Sequence, residues 1–428
     1  MSPGSAAGDS REELDTGSTI LVVGASLAGL RAAEALRERG FRGRLVVVDA
    51  EPVAPYDRPP LSKEYLAGTW GRERIALLEP QRVDALGLDL RLGWAAKALD
   101  LSRRSVLFEH GAELGFDRLV VATGASPRVW RDPVPDGVLT LRTLADADTL
   151  RRLLRPPGRR LVVVGGGFLG LEVAATACRL GAEATVVEPL PSLLGRVLPP
   201  AVGAAVRELH ERHGVRVLTG VAVAAFEGGD RLAGVRLERP RAGGSGAAAT
   251  GDEERRLGAD VALVAIGVRP SVSWLESSGL PLADGLVCDA ALEAAPGVVA
   301  AGDVARFPHP LASAPVRLEH WTNAAEQGRH VAATLLLGDA RAEPFSSVPY
   351  FWSDQFEVKI QAIGLPEPSD EVVVVDGSLE SGRFVALCAR GGSLVAAIGF
   401  GRPRQLMAFH PLLRRRATIS EAVSLLER

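Results

Sequence analysis

The sequence predicts an α/β fold with two doubly wound dinucleotide-binding domains and a C-terminal α+β domain. Three observations carry this. An apolar run, a glycine-rich turn and a helix-period segment follow one another twice, and the two turns begin at Gly24 and Gly165, 141 residues apart. Short apolar strands ending in a glycine turn recur at 119–124 (LVVATG), 261–267 (VALVAIG) and 298–303 (VVAAGD). Beyond Gly338 the pattern changes to strand-like segments with a short helix at the end.

In chain order, residues 1–17 are glycine-, serine- and acid-rich without an apolar core, which predicts a flexible tail and excludes a signal peptide. Residues 20–24 read as a strand entering a turn, 30–39 as an amphipathic helix stopped by Gly40, and 45–49 as a buried strand. The second unit repeats this with strand 161–164, turn 165–170, helix 171–180 and strand 184–188. The polar, low-complexity stretch 239–254 reads as a surface hairpin connection. Strands are expected at 351–361, 371–377, 384–389 and 394–400, then a helix at 419–426. The organisation expected is a discontinuous first domain (18–130 with 271–337), an inserted second domain (131–270) and a C-terminal interface domain (338–428).

Composition narrows the function classes. The 428 residues are 47% apolar and 24% charged, which suits a multidomain globular chain and excludes wholesale disorder. A formal net charge of −3 argues against a general nucleic-acid binder. No run approaches ~18 uncharged apolar residues, so a membrane span is not expected and the chain is read as cytoplasmic. Cys178, Cys288 and Cys388 form no CxxC pair, which argues against a disulfide framework, a zinc site and a paired-thiol redox centre. No metal is expected: His309, His320 and His330 fall at loop and helix positions without convergent carboxylates.

The first turn, Gly24-Ala-Ser26-Leu-Ala28-Gly29, is a variant of the dinucleotide fingerprint. Gly24 makes the turn, residue 26 must be small so that backbone approaches a pyrophosphate, and Gly29 lets helix pack on strand. The helix N-terminus offers free N–H groups to the phosphates. Asp49 and Glu51 both stand where an acid would take a ribose hydroxyl. The second turn, Gly165-Gly-Gly167-Phe-Leu-Gly170, is a full match, with Glu188 ending the next strand. A carboxylate there favours NADH over NADPH, because it repels a 2′-phosphate. Two dinucleotide sites in one chain suggest a bound flavin and a diffusing nicotinamide.

The chain resembles the ferredoxin reductase family of FAD/NAD(P)-dependent flavoproteins, the oxygenase-coupled kind. The resemblance rests on GASLAGLRAAEALRERGF (24–41), PYDRPPLSKEYLAG (55–68), ATGASPR (122–128), LRTLADA (141–147), VVVGGGFLGLEVAATA (162–177), AIGVRP (265–270), AAGDVARF (300–307), EHWTNAAEQG (319–328) and FWSDQF (351–356). It implies a glutathione-reductase-like arrangement, FAD on the first turn, NADH on the second, and electron delivery to a two-iron two-sulfur ferredoxin serving a haem-thiolate or Rieske oxygenase. By the same resemblance Gly24, Ser26, Ala28 and Gly29 hold the FAD pyrophosphate and Glu51 the adenosine ribose. Arg58 and Lys63 lie along the cofactor, Ala96 at the adenine, Arg142 at a cofactor edge, Asp303 at the ribityl chain and Trp321 near the isoalloxazine. For NADH the counterparts are Gly165, Gly167, Leu169, Gly170, Glu188 and Arg196, with Glu172 and Gly267 beside the nicotinamide. Ala294 and Ser271 depart from the family pattern, where Thr and Asn are common.

Of 49 basic residues only Lys63, Lys97 and Lys359 are lysines, so a lysine kept inside the PPLSK segment points to a need for a compact ammonium. Near a flavin it would favour the anionic reduced ring, and beside Glu172 it would be held by that carboxylate. Lys63 and Glu172 are therefore the catalytic candidates. Relatives that reduce peroxide or a coenzyme A disulfide carry a cysteine near this position, and here the segment is Leu61-Ser62-Lys63-Glu64. Trp352 reads equally as a core aromatic or as a ring near the flavin edge. Arg414–Arg416 form a dense basic run suited to an acidic ferredoxin. Two other readings share the motifs: a ferredoxin-independent NADH oxidase or quinone reductase, and a non-enzymatic NADH-sensing flavoprotein.

Overall fold

The computed structural model describes residues 14–239, 256–337 and 342–425. The tail expected at 1–17 lies mostly outside the described residues, as does nearly all of the 239–254 connection. The chain forms two compact units, each assembled from three stretches: residues 1–55, 77–124 and 270–347 in one, and 56–76, 125–269 and 348–428 in the other.

The first unit is built on a six-stranded sheet. Its strands run, in spatial order, Glu293–Ala295, Val298–Ala300, Arg118–Val121, Thr19–Val23, Arg44–Asp49 and Leu88–Leu92. All neighbours pair in parallel except the outermost Glu293–Ala295. Both faces of the central strands are buried, which is why Ile20–Val23 and Leu45–Val48 are continuous apolar runs rather than alternating ones. The helix Leu27–Glu38 starts directly at the turn, three residues ahead of the expected 30, with Ser26 as its N-cap. The expected start is late because the turn is read as running to Gly29, which lies inside the first turn of this helix. It packs against the long helix Trp321–Leu337 at a close crossing, where a Cβ on Gly328 would lie 2.3 Å from the Ala28 carbonyl oxygen.

The second unit repeats the plan. Its parallel sheet orders Arg216–Thr219, Glu183–Glu188, Arg160–Val164, Val261–Val264 and Val138–Leu139. The helix Phe168–Arg179 again begins at the turn, ahead of the expected 171. A three-stranded antiparallel sheet, Ala222–Gly228, Leu232–Glu238 and Arg256–Gly258, flanks it; the last two strands pair across the undescribed stretch. The C-terminal part is a five-stranded antiparallel sheet ordered Tyr350–Gln355, Val358–Gly364, Ser393–Phe400, Arg383–Arg390 and Glu371–Ser378, followed by three short helices.

One expected strand is two. Residues 351–361 fold back on themselves at Phe356, whose φ of +54° lies in the left-handed region. No Gly, Asn or Asp marks this turn, so the chain carries no local signal for it. The Phe356 ring instead stacks on His213, with centroids 3.9 Å apart and planes at 14°, and tertiary packing holds the strained residue.

Candidate functional site

The two glycine turns are built alike, down to their clamps. Gly24 and Gly165 have φ near +110°, and a Cβ on either would lie 2.2 Å from the Ala122 carbonyl oxygen or 2.4 Å from that of Ala265. Gly29 and Gly170 are excluded from growing a side chain by the carbonyl oxygens of Gly24 and Gly165, at 1.9 and 2.6 Å from such a Cβ. In the first turn, Ala25 N–H donates to Asp49 Oδ2 at 2.6 Å and Glu51 N–H to Asp49 Oδ1 at 2.8 Å. In the second, Gly166 N–H donates to Glu188 Oε2 at 2.6 Å and Leu190 N–H to Glu188 Oε1 at 2.8 Å. Asp49 is therefore the counterpart of Glu188, and Glu51 stands where the second turn has Leu190. Asp49 braces the turn, a task the sequence reading did not assign to it, while Glu51 is half-buried just beyond.

Gly167 behaves differently from its neighbours. A Cβ there would meet no protein atom within 4 Å, and the same holds for Gly267. Gly267 has a φ of +96° that itself favours glycine, but at Gly167 (φ −82°) neither packing nor backbone requires one, so Gly167 keeps space open at the start of a helix whose first N–H groups have no intrahelical partner. That is the cradle a pyrophosphate and its nucleotide fill, and the residues present fit a dinucleotide. Leu169 is 37% exposed at the same turn and Arg196 is exposed on the loop beyond Glu188. In the first unit Gly302 lies against Ala28, 3.1 Å from its Cβ if substituted, which brings Asp303 beside the first turn. Gln327, fully buried, accepts from Gly302 N–H at 2.8 Å and so fixes that turn, and its Nε2 is left without a partner. A buried orphaned amide beside the turn is a donor waiting for a polar group, which again fits a bound nucleotide cofactor. Ala96 opens the strand Ala96–Asp100, and Trp321 opens the Trp321–Leu337 helix.

In the second unit, Lys63 and Glu172 are brought together. The stretch 56–76 is anchored on the capped helix Leu144–Leu154 and its approach. Arg58 Nη1 donates to the Arg142 carbonyl at 2.7 Å, Leu144 N–H to Tyr56 Oη at 3.0 Å, and Tyr65 Oη to Asp148 Oδ1 at 2.7 Å. The short 3₁₀ turn Pro59–Ser62 then presents Ser62 and Lys63 to the Phe168–Arg179 helix. Thr176 Oγ1 donates to the Ser62 carbonyl at 2.8 Å. Ser62 Oγ donates to Glu172 Oε2 at 2.5 Å, and Lys63 Nζ donates to the same oxygen at 2.9 Å. The side chains of the ion pair are only 12% and 9% exposed, so Lys63 is no surface lysine. A third donor, Ser353 Oγ, reaches Glu172 Oε1 at 2.6 Å. Sequence reasoning missed Ser62, Ser353 and the residues behind them. The available signal was two polar residues, Ser353 and Gln355, on one face of a strand that is fully buried there.

The remaining candidates settle simply. Trp352 is half-buried, stacks on Tyr350 with centroids 5.9 Å apart and lies under the Lys359 ammonium. His309 Nε2 pairs with the Ser347 carbonyl at 2.8 Å, while its Nδ1 accepts from Leu311 N–H. Among the described residues no three His, Cys, Asp or Glu side chains gather closely enough to hold a metal ion. Burial raises all three thiols, Cys388 to about 12, which keeps them protonated and unreactive. No described helix is long and apolar enough to cross a membrane.

Comparison with known proteins agrees with this geometry. Residues 18–328 match the pyridine nucleotide-disulphide oxidoreductase family, and residues 350–425 match the reductase C-terminal family. The ferredoxin–NAD(+) reductase component of an anthranilate 1,2-dioxygenase system from Burkholderia cepacia is 37% identical, over 92% of this chain and 93% of its own length. The putidaredoxin reductase of Pseudomonas putida is 35% identical, over 91% of this chain and 90% of its own. Among solved structures, the reductase in a covalent putidaredoxin reductase–putidaredoxin complex superposes with a TM-score of 0.86 at 32% identity, covering 96% of this chain and 99% of that one. The paired glycine turns, their bracing carboxylates and these full-length matches make the chain a member of the pyridine nucleotide-disulphide oxidoreductase family.

Proposed function

We propose that the chain is an FAD-dependent NADH:ferredoxin oxidoreductase, the electron-entry component of an oxygenase system, and that its acceptor is a two-iron two-sulfur ferredoxin. The observation that carries the reading is the buried Lys63–Glu172 pair at the first turns of the helix that opens the second glycine cradle. It stands where a thiol reductase of this fold would need a cysteine, in a chain whose three thiols are all held protonated. Relatives named as ferredoxin reductases of oxygenase systems, over nearly the whole length, support the same reading.

The residues divide the labour as follows. Gly24, Ser26, Ala28 and Gly29 present backbone N–H groups to the FAD pyrophosphate, with Asp49 bracing the turn and Glu51 taking the ribose. Gln327 orients Gly302 and Asp303 for the ribityl chain, and Ala96 and Trp321 line the cofactor's ends. Arg58 is held by the Arg142 carbonyl so that its charge is placed rather than mobile. Gly165, Gly167, Leu169 and Gly170 receive the NADH pyrophosphate, Glu188 selects a 2′-hydroxyl, Arg196 guards the mouth, and Gly267 leaves room for the nicotinamide. FAD held by these residues would supply the conversion between a two-electron hydride donor, NADH, and a one-electron carrier. Lys63 supplies a fixed positive charge for that chemistry, and Glu172 fixes Lys63. No acid–base dyad is required. The reading puts the reaction in the cytosol, where NADH is supplied and thiols stay reduced.

Anaerobic titration of the purified yellow protein tests this. Stoichiometric bleaching by NADH, with NADPH at least about tenfold weaker, is expected. A colourless protein, or equal use of both nucleotides, contradicts the cofactor assignments.

A further inference from the structure

Glu172 is held from two directions. Ser62 and Lys63 take Oε2, and Ser353 takes Oε1. Behind Ser353 the polar contacts continue: Gln355 Nε2 lies 3.0 Å from Ser353 Oγ, and Gln355 Oε1 lies 2.8 Å from His210 Nε2. Ser353, Gln355 and His210 are all fully buried. The direction of every proton in this series is forced. A carboxylate only accepts, so the single hydroxyl proton of Ser353 is committed to Glu172. Ser353 Oγ must then accept, which turns the Gln355 amide nitrogen towards it and its carbonyl towards His210. His210 must therefore carry its proton on Nε2, leaving Nδ1 bare, and Nδ1 has no partner. Burial pushes His210 down to about 4, which keeps the ring in that neutral form.

Three buried polar side chains are a costly way to fill a core where apolar residues of similar shape would pack as well. The strand Tyr350–Gln355 lies against the Phe168–Arg179 helix, and Phe351 already packs edge-on to Phe168 at 4.9 Å. The helix and strand are thus joined by apolar contact without the polar chain. We propose that Ser353, Gln355 and His210 are positioning residues for the reduction of the flavin by NADH: a one-way hydrogen-bond chain that locks the Glu172 carboxylate in the rotamer that meets Ser62 and Lys63. The proposal rests on the role given to Lys63 and Glu172 above. Each donor in the chain polarises the next, so the end at Glu172 is held more firmly than one serine would hold it. A carboxylate free to swing would misplace Lys63, and a misplacement of about 1 Å costs up to about a hundredfold in rate.

The test uses the FAD-loaded protein and the variants S353A, S353T, Q355M and E172Q. The Glu172 carboxylate stretch is identified in the infrared spectrum as the band lost in E172Q. Limiting flavin reduction by NADH is followed by stopped flow, and NAD+ affinity by calorimetry. In S353A the band shifts and the limiting rate falls about ten- to a hundredfold, while NAD+ affinity stays within about threefold. S353T restores band and rate, and Q355M shifts both in the S353A direction by less. An S353A protein with the wild-type band and rate overturns the proposal, and slow E172Q in the same experiment shows that the role of Glu172 survives it. Fast reduction in E172Q removes that role and the proposal together. Should S353A fail to fold, Q355M decides, and an unchanged band and rate there overturn the proposal.

Discussion

Lys63 and Glu172 are the residues on which the proposed chemistry turns, and their burial sets what substitution does. With both side chains about a tenth exposed, removing the ammonium leaves a carboxylate with two hydroxyl donors in a dry site, a loss worth several times that of a surface pair. Lys63→Met is expected to slow flavin reduction by NADH at least about tenfold, whereas Lys359→Met, at a half-exposed pair with Asp354, leaves it unchanged. Stopped-flow reduction rates check this. His210 offers a second prediction. Its folded pKa, about 4, lies below the ordinary 6.5, so the unfolded chain takes up the proton first as pH falls. Its contribution to stability is complete above about 6.5, is lost progressively down to about 4, and is constant below. His320 in the other unit, also pushed down to about 4 by burial, adds a slope of the same sign. His210→Gln should remove part of the fall in urea midpoint between those two pH values, and an unchanged pH profile counts against a buried neutral imidazole. The PPLSK segment made Lys63 legible in the sequence; Ser353 and Gln355 were not, because their meaning lies in a carboxylate some 180 positions away in the chain.

At the scale of the element, the glycine turns separate packing from binding. Gly165→Ala places a Cβ against the Ala265 carbonyl in a left-handed backbone, so it should destabilise the second unit and lower Tm by several degrees. Gly167→Ala places its Cβ in open space and should leave Tm within about a degree while weakening NADH binding at least about tenfold. Thermal melts and NADH titration of the pair distinguish a ligand cradle from a packing turn; equal melting losses would favour the latter. Glu188 braces Gly166 and Leu190, and in the proposed reaction it also selects the nucleotide. Glu188→Gln should narrow the preference for NADH over NADPH, read as the ratio of kcat/KM values. Both turns were legible because strand, glycine spacing and helix repeat in order. The 351–361 hairpin was not, because Phe356 adopts its left-handed φ through stacking on His213 rather than through turn chemistry. The expected helix starts fall after Leu27 and Phe168 because the turns are read as running to their last glycines, Gly29 and Gly170, which in fact lie inside the first helical turns.

For the whole molecule, the fold class and the two nucleotide modules could be read from the repeated strand–turn–helix grammar, and the family match covers them. The grouping of residues 56–76 with 125–269 could not, because it depends on anchors such as Tyr65 on Asp148 and Arg58 on the Arg142 carbonyl, which no local pattern announces. In the C-terminal part, Arg414, Arg415 and Arg416 are exposed, with Arg415 paired to Glu421. If this run meets an acidic ferredoxin, charge reversal at Arg414 and Arg416 should lower the second-order rate of ferredoxin reduction and flatten its dependence on salt, leaving flavin reduction by NADH untouched. In the proposed reaction electrons enter from NADH and leave singly to an iron–sulfur partner. Mixing the anaerobically NADH-reduced protein with oxidised two-iron two-sulfur ferredoxin from the same genome tests it most directly. Flavin absorbance is expected to return as ferredoxin is reduced, two ferredoxins for each NADH consumed. A flavin that stays reduced against every such ferredoxin while oxygen or a quinone reoxidises it rapidly would contradict the claim.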